Sequence, residues 1–399
     1  MRAAIKGIII TAAFIGPGTL TTASLVGAQL GYQLVWALVF ALFATCVLQE
    51  MASRLGSVTG KGLSESILLL YNKRAWKWFA SALICIAIGV GNAAYEGGNL
   101  TGAGLGLSAS FGGSIAMWSL ALGVIAALLL ISNQHKLIEG LLIALVALMS
   151  LVFISLMFIA GLDLSALYEG ITLEQGLFSD YALLLAIIGT TIVPYNLFLH
   201  AGLSAKDSSA NGAGDGSNQG SGKTGLFATI GLGGLVTFAV MSSAATAFFA
   251  TGIAMDRNNI ANQLAPLLGD NASLFFALGL FAAGLSSAIT APLAASYAIS
   301  GLFAWRAELS DWRFKGLSLA IIAVGVLVSV SGAKPFAVIV LAQAANALLL
   351  PISAILLLVV CNNSNMMQSA KNTALNNVAA IVVILTVVLL AAYKLLTLL

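Results

Sequence analysis

Charge is scarce in this 399-residue chain: Lys and Arg number 17, Asp and Glu 14, and charged types make up 8%. A soluble domain carries about a quarter, so a water-soluble enzyme is excluded. The net charge of +3 is small, and the basic residues lie between apolar runs rather than in one stripe. That excludes a nucleic-acid binder. Cysteine is scarce too. Cys46, Cys85 and Cys361 fall within apolar runs with no CxxC pair or metal spacing, and read as small packing residues. The two histidines form no HExxH or HxxxH, and neither GxSxG nor paired acids occur, so no intramembrane enzyme and no cofactor is expected. What is abundant is apolar: 60% of residues, which also excludes disorder for most of the chain.

A bilayer core needs about 20 apolar residues per helix. Eleven such runs occur, at 7–26, 33–52, 79–106, 114–132, 137–161, 181–203, 225–252, 272–303, 317–332, 336–360 and 376–398. The ~10-residue alternating segments of a transmembrane barrel are missing. The expectation is an all-α polytopic membrane protein in one bundle, a monomer, with the lipid bilayer as its main partner. Placing the N-terminus inside puts 14 of the Lys and Arg residues on the inner side and only Arg257, Lys334 and Lys394 outside. Basic residues are retained in the cytoplasm, so the N-terminus is expected inside and the C-terminus outside. Short loops and no sorting signal suggest a bacterial inner membrane. Residues 1–27 are read as a span rather than a cleaved leader, because Gly16-Pro17-Gly18 interrupts the apolar stretch. Residues 204–224 (SAKDSSANGAGDGSNQGSGKT) read as a flexible cytoplasmic linker.

Two spans carry helix-breaking residues at mid-depth. The first contains Ile15-Gly16-Pro17-Gly18-Thr19, and the sixth contains Ile192-Val193-Pro194-Tyr195-Asn196. Pro inside a helix removes a hydrogen bond and clashes with the preceding turn, and Gly costs ~1 kcal/mol relative to Ala. The breaks share a frame: Pro, one residue, then a polar side chain. They stand five spans apart in register, helix 1 with helix 6. An odd repeat length turns the second copy upside down, so the pattern predicts a 5+5 inverted repeat with discontinuous helices 1 and 6. Matched interruptions mark the binding site of such a transporter. On this division 1–203 holds the first repeat plus helix 6, and 225–360 holds helices 7–10 completing the second. Residues 361–399 hold a connection and an extra helix 11. One Pro kink alone would read as packing. Two matched kinks read as freed backbone groups that need a partner in hydrocarbon.

At these residues the sequence resembles the Nramp family of divalent-metal transporters, which has the LeuT-type fold. The likeness includes Arg54-Leu55-Gly56 with Val58-Thr59-Gly60-Lys61, Pro194 with Asn196-Leu197-Phe198-Leu199-His200, and Ala283-Gly284-Leu285-Ser286-Ser287-Ala288-Ile289-Thr290. Gln343 and Leu350-Pro351 match in spacing. The resemblance implies secondary active metal ion transport by alternating access. It also implies departures. Where the family has Asp-Pro-Gly-Asn, this chain has Gly16-Pro17-Gly18-Thr19. Where it has Met-Pro-His-Asn, this chain has Val193-Pro194-Tyr195-Asn196. The metal-site Asp, Asn and Met positions thus read Gly16, Thr19 and Val193, and the Ala that lends a carbonyl reads Thr190. The acidic pair of the family's proton route reads Glu96 and Asn99, and the basic residue of helix 9 is missing.

The thioether selects Mn and Fe, and the carboxylate neutralises a dication in low dielectric. Without them a standard Mn/Fe carrier is not expected. Gly16, Thr19, Thr190, Val193, Tyr195, Asn196 and Gln343 are the candidate substrate-binding residues. Thr21, Thr22, Thr191, Ser286 and Ser287 are added polar lining. Two cargoes stay open, a metal ion on neutral oxygens or a small neutral or anionic solute. A non-transporting membrane sensor is a further alternative. Glu96, an acid inside a span, and His200, one turn past the second break, are the proton-coupling candidates. Both also have bland readings, as a protonated packing residue and a structural His. Protons and Na⁺ both remain open as the coupling ion. Glu50 and Arg54 read as an i,i+4 pair. Lys73, Arg74 and Lys77 with Trp76 and Trp78 read as an interfacial anchor.

Overall fold

The computed structural model describes residues 15–132, 134–160, 162–171, 180–211, 219–256 and 259–396. These form an all-helical bundle. In chain order α1 is Pro17–Leu30, α2 Val35–Thr59, α3 Leu63–Leu70, α4 Arg74–Phe111, α5 Ile115–Ile131, α6 His135–Ala160 and α7 Leu164–Ile171. The second half holds α8 Tyr181–Thr191, α9 Pro194–Asn211, α10 Gln219–Ala244, α11 Ala272–Phe303, α12 Trp312–Val330, α13 Pro335–Cys361 and α14 Ala374–Leu396. Among the described residues nine helices are long and apolar enough to cross a membrane, counting α8 with α9 as one. Two of the eleven expected runs fall short: α5 has 17 residues, and the first run is described only from Ile15.

The expected interruption of helix 6 is present, that of helix 1 is described only from Ile15 onward as the start of α1, and one rule sets both starts. The residue before a Pro is pushed out of the helical region, while Pro itself fits the first helical position, which needs no N–H. Pro17 therefore starts α1 after an extended Gly16 (φ −102°, ψ 176°). Pro194 starts α9 after Ile192 and Val193 leave the helix, Ile192 at φ −100°, ψ 83°.

The expected linker at 204–224 is narrower than composition suggested. α9 continues to Asn211 and α10 begins at Gln219, so only 212–218 separate them, and these lie outside the described residues. Tertiary bonds extend α9. Lys206 Nζ donates to Tyr297 Oη (2.9 Å) and Ala307 O (2.6 Å), and Ser208 Oγ donates to Ser57 O (2.9 Å). Such contacts override weak local propensity. A second departure is the six-residue π-helical stretch Cys85–Val90 inside α4, ahead of Glu96.

Contacts sort the loops into two ends. At one end Ser57 meets Ser208, Lys206 meets Ala307, and Arg54 donates to Ala370 O and to Asn372 Oδ1 (2.8 Å). This is the end carrying the basic loops. The Glu50–Arg54 pair forms as expected, 3.2 Å apart. At the other end Tyr32 Oη meets Ser242 Oγ (2.8 Å), and Gln263 bonds Ser24 and Ser243. The cysteines are free, as packing residues would be.

Candidate functional site: the junction of two broken helices

The two breaks meet. Thr19, in the first turn of α1, holds its Oγ1 2.7 Å from Thr190 Oγ1 near the end of α8. The positive N-terminal end of one half-helix thus abuts the negative C-terminal end of another. Thr19 Oγ1 also accepts from Gly16 N (3.3 Å), closing the start of α1. Both threonines are fully buried.

Three side chains from other helices crowd the first break. A Cβ built on Gly16 would lie 2.5 Å from Ser287 Oγ of α11 and 3.1 Å from Asn99 Oδ1 of α4. A Cβ on Gly18 would overlap the Gln343 carboxamide of α13. The glycines do more than bend the chain: they make room for two carboxamides and a hydroxyl against bare backbone. Asn99, Ser287 and Gln343 are buried, and none of their side-chain oxygens or nitrogens has a hydrogen-bond partner of normal geometry. Asn196 Oδ1 is likewise buried without a partner. Such groups are rare in native interiors and costly, about 1–3 kcal/mol each. Five such atoms, on Asn99, Ser287 and Gln343, stand at the first break.

The second break is closed by its own surroundings. Thr45 Oγ1 of α2 shares its proton between Ala41 O (2.8 Å) and Thr191 O (3.2 Å), and Val193 O accepts from Asn196 N (3.1 Å). Val193 is buried and places only carbon where a soft ligand would be needed. Tyr195 packs on Tyr95 of α4, ring centroids 5.5 Å apart. Thr45 was invisible in the sequence, where a mid-span Thr carries no signal for the carbonyl it caps.

Of the two coupling candidates, Glu96 borders the junction through Asn99, and His200 stands further along α9. Glu96 is fully buried, but its Cγ occupies the space a Cβ on Gly325 of α12 would fill. Its stem thus packs on α12, while its carboxyl interacts with Asn99, three residues on, whose side chain lies over the start of α1. Neither carboxyl oxygen has a hydrogen-bond partner of normal geometry. His200 is buried on α9 with Nδ1 2.9 Å from Gln49 Oε1 of α2. Of the added lining, Ser287 reaches the first break, while Thr191 Oγ1 bonds back to Ile187 O within α8 (2.9 Å). Thr21 and Thr22 are buried with unpartnered hydroxyls. Ser286 O accepts from Thr290 Oγ1 (2.9 Å).

Among the described residues, no three His, Cys, Asp or Glu side chains gather as a metal cage. The junction offers hydroxyl, carboxamide and backbone oxygens and no formal charge. Below it, a cavity of about 320 Å³ opens at the basic end between α9, α11 and the Gly60–Glu65 turn. Phe198, two residues past Asn196, stands in its wall.

A family model described as "Natural resistance-associated macrophage protein-like" matches residues 7–397. A divalent metal cation transporter MntH of Pectobacterium carotovorum is 30% identical over 337 residues, 83% of this chain and 78% of the relative. An MntH of Erwinia tasmaniensis is 28% identical over 295 residues, 72% of this chain and 69% of that one. Among solved structures, a mutant of the Eremococcus coleocola manganese transporter aligns with a TM-score of 0.75 at 21% identity. It covers 98% of this chain and 85% of that one. MhsT in complex with L-phenylalanine aligns at 0.68 and 16% identity, covering 96% of this chain and 98% of that one.

Proposed function

The chain belongs to the Nramp family, and on that premise we propose a secondary carrier that works by alternating access around a junction no longer suited to Mn and Fe. The relatives named as divalent metal transporters support metal ion transport as the ancestral task. The observation that carries the proposal is the neutrality of the junction, with Gly16, Thr19, Thr190 and Val193 at the ligand positions. A bare dication there would lose its hydration without a counter-charge, a cost of several kcal/mol or more. No sulfur remains to favour a soft metal. α1 and the α8–α9 pair hold the cargo and rock together against the rest. The N-terminus and the basic loops face the cytoplasm of a bacterial inner membrane, the C-terminus faces outside, and the chain acts as a monomer.

Two cargoes fit this junction. One is a hard, partly hydrated metal ion held by the Asn99, Asn196 and Gln343 carbonyls with the hydroxyls. The other is a small neutral or anionic solute. The unpartnered carboxamide N–H group of Gln343 favours the second, because a cation satisfies acceptors and leaves donors empty.

Reconstitution into liposomes with parallel uptake of Mn²⁺, Mg²⁺ and a panel of small solutes tests the proposal. Mn²⁺ uptake at background, with another tracer moved, is the expected result. Saturable micromolar Mn²⁺ uptake would overturn it, and transport of nothing at all would favour a sensor. Glu96 is assigned the coupling proton. Glu96→Gln is expected to abolish the pH dependence of uptake, and an unchanged profile would remove Glu96 from that role.

A further inference from the structure

We propose that the foot of α4, residues 71–79, is a binding surface for the phosphate of anionic phospholipids. The first turn and a half of α4 stands free of the bundle: Lys73 through Phe79 are all exposed, with Trp76 at 53%, Trp78 at 63% and Phe79 at 56%. Its aromatic rings are already ordered. Tyr71 stacks on Trp76 (6.2 Å, 20°), and Trp76 meets Phe79 edge-on (5.9 Å, 87°). Above them Phe79, Ile86 and Val90 form one exposed apolar stripe at helical spacing, so this face of α4 looks into lipid. The rings therefore sit at the interface that such amphipathic side chains prefer.

The charges decide which lipid. Lys73, Arg74 and Lys77 share this short segment, and no acidic residue lies between Glu65 and Glu96. None of the three makes an ion pair among the described residues. They also crowd the start of a helix with no acid in its first turn, where the backbone dipole is itself positive. Among the described residues no acid pairs with this concentration of like charge, and an anionic headgroup offsets it. A second aromatic-basic cluster at the foot of α12 gives the contrast. There Arg313 lies 5.8 Å from the Trp305 ring and 5.4 Å from the Trp312 ring. Asp311 and Glu308 stand within a few residues, so that cluster carries its own counter-charge.

The test reads tryptophan quenching by brominated lipid with the full chain in nanodiscs. Brominated phosphatidylglycerol is titrated into phosphatidylcholine, and brominated phosphatidylcholine serves as reference. The intact chain is expected to prefer phosphatidylglycerol severalfold. Lys73→Gln, Arg74→Gln and Lys77→Gln together are expected to bring that ratio near one, with the elution volume of the folded protein unchanged. Arg313→Gln is expected to leave it within about twofold. No preference in the intact chain, or one that survives the triple change, would overturn the proposal. So would a preference abolished by inorganic phosphate at constant ionic strength, which would assign the surface to a free anion.

Discussion

The two helix breaks obey the same backbone rule and have opposite surroundings. At the second, two freed carbonyls have local donors, Thr45 Oγ1 on Thr191 O and Asn196 N on Val193 O, and Asn196 Oδ1 is the group left over. At the first, two glycines leave bare backbone, and Asn99, Ser287 and Gln343 close on it without partners of their own. Pro breaks the helix in either place. What its neighbours do with the freed groups decides whether the break is a structural joint or a seat. On the proposed reading the first break is the seat, and the second lies opposite it.

The sharpest way to break this contrast is to rebuild a metal site on the first break. Gly16→Asp with Val193→Met supplies the missing charge and sulfur. Ser287→Ala is added because the new Cβ would crowd Ser287 Oγ. Titration calorimetry with Mn²⁺ is expected to move from no binding to submillimolar binding, more than about 4 kcal/mol. No heat from the triple variant would mean that the shell around the seat is wrong for any metal.

Overpacking comes next. Gly18→Ala drives a methyl into the Gln343 carboxamide, and such strain costs about 1–3 kcal/mol. Uptake of the tracer that the intact chain moves is expected to fall tenfold or more, with part recovered by adding Gln343→Ala. Val193→Ile, an equal enlargement at the second break, is expected to change uptake less than twofold. Equal losses would erase the distinction.

Smaller effects follow from single bonds. Thr45→Val removes the hydroxyl shared by Ala41 O and Thr191 O and is expected to cost about 1 kcal/mol, read as a lowered thermal midpoint with the Michaelis constant little changed. Thr19→Val loses the bond to Thr190 and is expected to raise the Michaelis constant about fivefold, near 1 kcal/mol. A Thr19→Val effect on stability alone would make that bond a joint like the second break.

Much of this was legible in the residues. Apolar runs located the helices, and the mid-span Pro17 and Pro194 located both breaks. The motifs from Arg54 to Gln343 located the family. The candidate residues Thr19, Thr190 and Gln343 do converge, while Glu96 and His200 lie on neighbouring faces, toward Gly325 and Gln49. Sequence reasoning placed the linker start at 204 because Ser, Gly and Asn have weak helical preference. It had no access to the Lys206–Tyr297 and Ser208–Ser57 bonds that carry α9 onward. Thr45 and the crowding over Gly18 were equally hidden, since both are contacts between residues more than 140 positions apart.

The chain's own chemistry determined that it lives in a bilayer, that two of its helices are broken, and that the broken places carry no charge. Those properties follow from composition and from proline's missing N–H, which act locally. Which side chains stand over the breaks, and which of those keep unspent donors and acceptors, was decided by helix packing alone. Hydrogen bonding across the bundle depends on distances of a few ångströms between segments that the linear order leaves far apart.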